Sequence, residues 1–238
     1  MTPGCSDSSQ RRLPSLTAVL ILSIGLTLFE LLVVGSAALP ADAAVRREEI
    51  IPVLAVTTTQ DNPGVMLHLV VSVETRSDEA GLQIVFQEHP GRFSSMAQQS
   101  IERAIYHVAQ TLALDPDSWT VTLAVPYRGI LVDGDSLSAI VGLTVAALVQ
   151  GDPVESDIVM TGTITAQGRI GTVSGITSKV SVATEARMRA VLVPNESVVD
   201  RQRDLVVNSV TQVIPVDSVQ EAYKALTGRL SSPAVPVQ

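Results

Sequence analysis

Cysteine is almost absent from this 238-residue chain: Cys5 stands alone, so no internal disulfide can form and no cysteine-based zinc site is available. Histidine is scarce too, and His68, His89 and His107 are scattered through apolar or helical stretches without metal-ligand spacing. No metal or cofactor is expected. Aromatic residues make up only 3% of the sequence, so the core must be aliphatic, built from Val, Ala, Leu and Ile. Basic residues are outnumbered, 16 Lys and Arg against 24 Asp and Glu, for a net charge of -8; with no basic patch, nucleic acid is excluded as a partner. A Gly-x-x-x-x-Gly-Lys-Ser/Thr phosphate loop is missing as well, and Gly171 to Lys179, though glycine-rich, does not supply one. What the sequence has in quantity is apolar residues, 46% of the total against 17% charged, which marks an ordered globular chain.

The apolar content is concentrated first near the N-terminus. Arg11 and Arg12 precede an uncharged stretch from Leu13 to Phe29, and after Glu30 the apolar run resumes to Leu39. A membrane anchor needs roughly 20 apolar residues, and one carboxyl in the hydrocarbon costs about 2.5 to 3.5 kcal/mol, which so many Leu, Val and Ile offset. Ala41-Asp42-Ala43 also resembles a signal-peptidase site. Residues 13–39 are therefore expected to be a signal anchor or a signal peptide, with residues 1–12 cytoplasmic. The remainder then lies on the extracytoplasmic side, either tethered as a single-pass membrane protein or exported.

Residues 40–49 read as a linker and residues 229–238 as a flexible tail. Between them, one domain over residues 50–228 is expected, of α+β class. Ile50 to Thr58, Val65 to Glu74 and Gly81 to Gln87 are β-rich runs separated by turn residues, which predicts an antiparallel meander. Alternating helices and strands follow. Apolar residues at Ala97, Ile101, Ala104, Ile105, Val108 and Leu112 predict a helix over 94–114, stopped by Asp115-Pro116. Strands are expected at 119–125, 157–163, 190–193 and within 205–215, and helices at 136–149, around 178–188 and at 218–226.

An ordered series of motifs then points to chemistry. Asp133-Gly134-Asp135-Ser136, Gly151-Asp152-Pro153-Val154, Met160-Thr161-Gly162-Thr163-Ile164-Thr165, Gly168-Arg169-Ile170 and Gly175-Ile176 with Lys179 resemble the proteolytic domain of Lon proteases. That family reads Asp-Gly-Pro-Ser-Ala-Gly, Gly-Ile-Pro-Val, Met-Thr-Gly-Glu-Ile-Thr, Gly-Arg-Val and Gly-Gly-Leu-Lys-Glu-Lys, and no gap is needed between Ser136 and Lys179. The resemblance implies a Lon-like fold and a serine endopeptidase with Ser136 as nucleophile and Lys179 as general base. Thr161 and Asp133 support them, and an acyl-enzyme is the intermediate. It also implies unfolded or flexible polypeptide substrates and a homo-hexamer. Without a phosphate loop the activity is expected to be independent of ATP.

The pairing is chemically sensible. A serine hydroxyl becomes a nucleophile when a neighbour takes its proton, and a lysine does this once desolvation leaves its amine neutral. Val173, Ile176, Val180, Val182 and Ala183 offer Lys179 apolar surroundings. If Ser136 opens a helix, free N–H groups at that end face a developing oxyanion. Asp135, Leu137 and Ser138 depart from the family's Pro, Ala and Gly. An ionised Asp135 turned toward Lys179 would favour the ammonium, and Ser138 offers a second hydroxyl. The competing reading is a catalytically degenerate, membrane-tethered module that captures extended peptides along a sheet edge.

Overall fold

The computed structural model describes residues 45–58, 63–197 and 210–228. The N-terminal hydrophobic segment, the first part of the linker and the C-terminal tail lie outside these residues. Among the described residues no helix is long and apolar enough to cross a membrane.

Among the described residues a four-stranded sheet, a three-stranded sheet, two two-stranded pairs and four α-helices enclose one aliphatic core. Strand β1 (Arg46–Val56) pairs along its whole length with β2 (Gly64–Thr75), antiparallel, from Arg46 opposite Glu74 to Val56 opposite Gly64. β2 pairs on its other side with β5 (Trp119–Ala124), also antiparallel. β3 (Gln83–Phe86) completes the sheet at the far edge, in the order β1-β2-β5-β3, and runs parallel to β5. The expected meander is thus wrong in its third strand. β3 joins β5 through helix α1 (Ser95–Thr111), a β-α-β crossover that enforces the parallel sense. Two-residue strands β4 (Arg92–Phe93) and β6 (Leu131–Val132) pair beside it.

Strand β1 also begins ahead of Ile50. Arg46 to Glu49 read as a charged linker, yet their backbone is held by Val71 to Glu74. The Arg47 guanidinium donates to the carbonyls of Leu148 (2.9 Å) and Val149 (3.2 Å), at the C-terminal end of helix α2 (Ser138–Gln150). The Leu148 carbonyl also accepts from the Gly151 N–H (3.3 Å), and these last-turn carbonyls carry the negative pole of the helix, so a cation there is favourable.

Helix α2 is apolar all round and buried from Ser138 to Leu148, which makes it the axis of the core. Its Gly142 lets α1 approach closely: a Cβ there would meet the Ala104 carbonyl at 3.1 Å. The second sheet is parallel, in the order β11-β10-β7, from β7 (Ile158–Met160), β10 (Ala190–Pro194) and β11 (Gln212–Val216). Between β7 and β10 the chain makes a short hairpin, β8 (Thr163–Ile164) with β9 (Ile170–Gly171), and then helix α3 (Ile176–Glu185). Helix α4 (Val219–Leu226), capped by Ser218, closes the domain.

α3 is pressed against the first sheet at Gly64, the first residue of β2. A Cβ built at Gly64 would sit 2.2 Å from the Ser178 carbonyl oxygen, so only glycine allows this approach. Gly64→Ala is expected to push α3 outward and to lower stability by about 1 to 3 kcal/mol in urea unfolding. An unchanged unfolding midpoint would show that α3 is not held in this way.

Candidate active site

The end of β6 feeds a tight turn, Asp133 to Leu137, that leads into α2. Gly134 adopts φ +91°, a left-handed conformation that bends the chain without a Cβ clash. The helix starts at Ser138 rather than at Ser136 as expected, because Leu137 occupies the N-cap position and offers no side-chain acceptor. Ser136 therefore sits in the turn itself, partly exposed. Its carbonyl accepts from the Gly162 N–H (2.8 Å) and the Thr161 hydroxyl (3.3 Å), while Ala139 N–H donates to the Gly162 carbonyl (3.2 Å). These bonds tie the turn to the chain leaving β7. The N–H groups of Asp135, Ser136 and Leu137 donate to no backbone carbonyl among the described residues. The free donors thus belong to the turn, one step earlier than expected.

Lys179 arrives from the other side. Gly175, at φ 71°, caps α3, and Lys179 lies in its first turn with its N–H on the Gly175 carbonyl (3.0 Å). Its side chain is only 2% exposed. The Nζ donates to the Thr161 hydroxyl oxygen at 3.1 Å, and Thr161 is fully buried with its N–H on the Leu192 carbonyl (3.1 Å). Burial lowers the Lys179 pKa from 10.5 to about 8, against the opposing pull of the Asp135 carboxylate. An amine in this setting is neutral in a useful fraction near physiological pH.

Ser136 and Lys179 line one cavity of about 160 Å³, together with Asp133, Asp135, Leu137 and residues Val53 to Val56 of β1. No hydrogen bond joins Lys179 to Ser136; Thr161 lies between them, bonded to the amine and to the Ser136 carbonyl. Asp133 is exposed and accepts a hydrogen bond from the Ser94 hydroxyl, which holds its carboxyl below the ordinary carboxylate value. Ser94 also caps α1 by accepting from the Ala97 N–H at 3.1 Å, so Asp133 anchors the turn to that helix. Asp135 is exposed and forms no ion pair with Lys179. Ser138 is buried in α2 and does not line the cavity.

Sequence reasoning did not single out Ser94, Gly162 or β1 as parts of this site. Ser94 was legible as a helix cap, but its second partner, Asp133, is distant in sequence. Nothing in the spacing of Val53 to Val56 marks them as a cavity wall.

A model of the Lon protease (S16) C-terminal proteolytic domain family matches residues 73–228, a span that includes Ser136, Thr161 and Lys179 but not β1. An archaeal Lon protease of Archaeoglobus fulgidus is 23% identical over 166 residues, covering 69% of this chain and 26% of that protein. The Lon protease of Chloroflexus aurantiacus is 29% identical over 177 residues, with 68% and 21% covered. Lon protease 2 of Sorangium cellulosum is 31% identical over 143 residues, with 53% and 18% covered. The chain thus spans about a quarter or less of the length of these relatives.

The buried amine has a consequence for stability. Below about pH 8 Lys179 is charged in both the folded and the unfolded chain, so its desolvation cost is present in full. Between about 8 and 10.5 the unfolded chain holds a proton that the folded chain has released, and stability rises with pH. Lys179→Met is therefore expected to be more stable than the parent at neutral pH, with the difference shrinking toward pH 10. A difference independent of pH in chemical denaturation would contradict a lowered pKa.

Proposed function

The chain belongs to the family of Lon protease (S16) C-terminal proteolytic domains, and we propose from that premise that it is a serine-type endopeptidase working through Ser136 and Lys179. The observation that carries this reading is the burial of Lys179 against Thr161 in the cavity that Ser136 shares. In the neutral state the Lys179 amine takes the proton of the Ser136 hydroxyl as its oxygen attacks the scissile carbonyl. Thr161 holds the amine in place by accepting one of its N–H bonds. The tetrahedral oxyanion faces the free N–H groups of the turn, a preorganised set of donors in a partly desolvated site. The Lys179 ammonium then passes its proton to the leaving amine, and the acyl-enzyme remains on Ser136. Water, deprotonated in turn by Lys179, releases the product acid and restores the site.

The lack of a direct bond between Lys179 and Ser136 is compatible with this scheme, since catalytic hydrogen bonds often tighten only when substrate is bound. A larger groove of about 420 Å³, lined by Phe86, His89, Arg92, Phe93, Ser94 and Leu131, adjoins the site through Leu131 and Ser94, neighbour and partner of the nucleophile turn. It would take residues flanking the scissile bond. With no phosphate loop in the sequence, hydrolysis is read as independent of ATP and directed at flexible or unfolded chains. A location at a membrane, on its extracytoplasmic side, is read from the hydrophobic stretch of residues 13–39 alone, and assembly into a ring of six copies belongs to the same reading.

The test is hydrolysis of casein by the full chain in mild detergent, without nucleotide. Activity is expected to rise with pH to a plateau through a midpoint near 8. Ser136→Ala and Lys179→Ala should each reduce it by roughly three orders of magnitude or more. A folded, assembled protein that cleaves nothing would instead favour a peptide-binding module.

A further inference from the structure

The turn that carries Ser136 also carries a carboxylate that this mechanism leaves unused. Asp135 immediately precedes the nucleophile, is exposed, and lines the same cavity as Lys179. Its neighbour Asp133 is engaged by Ser94, whereas the Asp135 side chain enters no ion pair or hydrogen bond among the described residues. Asp135 thus places a negative charge at the mouth of the site.

That charge has one internal counterpart. The cavity wall from β1 is apolar, Val53 to Val56, and Leu67 of β2 adds no charge. Ser174 contributes a neutral hydroxyl and Asp133 and Asp135 come from the turn, while Thr161 meets the Lys179 amine with a neutral hydroxyl from outside the cavity lining. Asp133 is bonded to Ser94 and Asp135 is not, and it is Asp135 whose charge favours the protonated form of Lys179 that cannot act as a base. A second cation beside Asp135 would cancel that field.

We propose that Asp135 is a specificity-determining residue that receives a lysine or arginine side chain of the substrate next to the scissile bond. This deepens the peptidase reading above and rests on it. The substrate cation pairs with Asp135, the Lys179 ammonium loses its only favourable charge, its proton passes to solvent, and the neutral amine takes the proton of Ser136. Asp135 acts through Lys179 and on the substrate side chain, not on the peptide bond. Coupling of this kind is reciprocal: if the cation promotes deprotonation of Lys179, deprotonation must tighten binding of the cation. The net charge of -8 also attracts basic chains.

The experiment compares two fluorogenic peptides, identical except for arginine or its neutral isostere citrulline on either side of the cleaved bond, with the full chain. The arginine peptide is expected to have a kcat/KM about two- to fivefold higher, falling at high salt, and a lower pH midpoint than the citrulline peptide. Asp135→Asn should erase the ratio and move the citrulline midpoint below that of the parent. A ratio or midpoint unmoved by Asp135→Asn overturns the proposal. A second measurement, fluorescence anisotropy in the Ser136→Ala background, needs no turnover. There the arginine peptide should bind more tightly than the citrulline peptide, increasingly so from pH 7 to 9, and Asp135→Asn should remove the difference; equal binding of both peptides overturns the proposal. Hydrolysis that survives Ser136→Ala, or is absent from the parent while the binding preference persists, would sink the peptidase reading and leave the cation subsite standing.

Discussion

A lysine ammonium carried into an aliphatic interior loses its hydration, and at Lys179 the loss is compensated, among the described residues, by the Thr161 hydroxyl and the charge of the Asp135 carboxylate. The protein accepts that cost in order to hold an amine that can be neutral near pH 8. Every nearby element contributes to it. α3 can bring Lys179 under β1 and β2 because Gly64 has no side chain to hold it off, and Gly175 opens the helix with the left-handed turn that aims its first turn inward.

The turn from Asp133 to Leu137 is held by a different kind of constraint. Its backbone is fixed at both ends, by Ser94 on Asp133 and by Gly162 and Thr161 on the Ser136 carbonyl. Thr161 is the shared member, since one hydroxyl accepts from the Lys179 amine and donates to the Ser136 carbonyl. A change in either half of the pair therefore reaches the other through a single buried side chain. Asp133 and Asp135, and in part Ser136, are open to solvent, whereas Thr161 and Lys179 are buried.

Much of this was legible in the sequence, and the limits have physical causes. Ser136, Thr161 and Lys179 stand in ordered blocks whose spacing the fold respects, and the structure brings all three together. The helices were visible because a 3.6-residue apolar period or an unbroken apolar run is strongly marked. Strand partners were not. The β-rich run Gly81 to Gln87 says that this segment is a strand but not which neighbour it takes, and the crossover through α1 sends it parallel to β5 instead of beside β2. Arg46 to Glu49 were misjudged for a similar reason, because a charged edge segment looks like a linker until its backbone partner and the α2 carbonyls are in place. Ser94 and the β1 wall of the cavity are contacts between residues far apart in sequence.

The central claim, that a buried Lys179 amine activates Ser136, is tested most directly by covalent labelling with a serine-directed fluorophosphonate across a pH series, with the modified residue identified by mass spectrometry. The account predicts a single adduct on Ser136, formed at a rate that rises through a midpoint near pH 8 and is lost when Lys179 is replaced by methionine. An adduct elsewhere, or a rate on Ser136 that is indifferent to pH over that range and to the loss of Lys179, would contradict it.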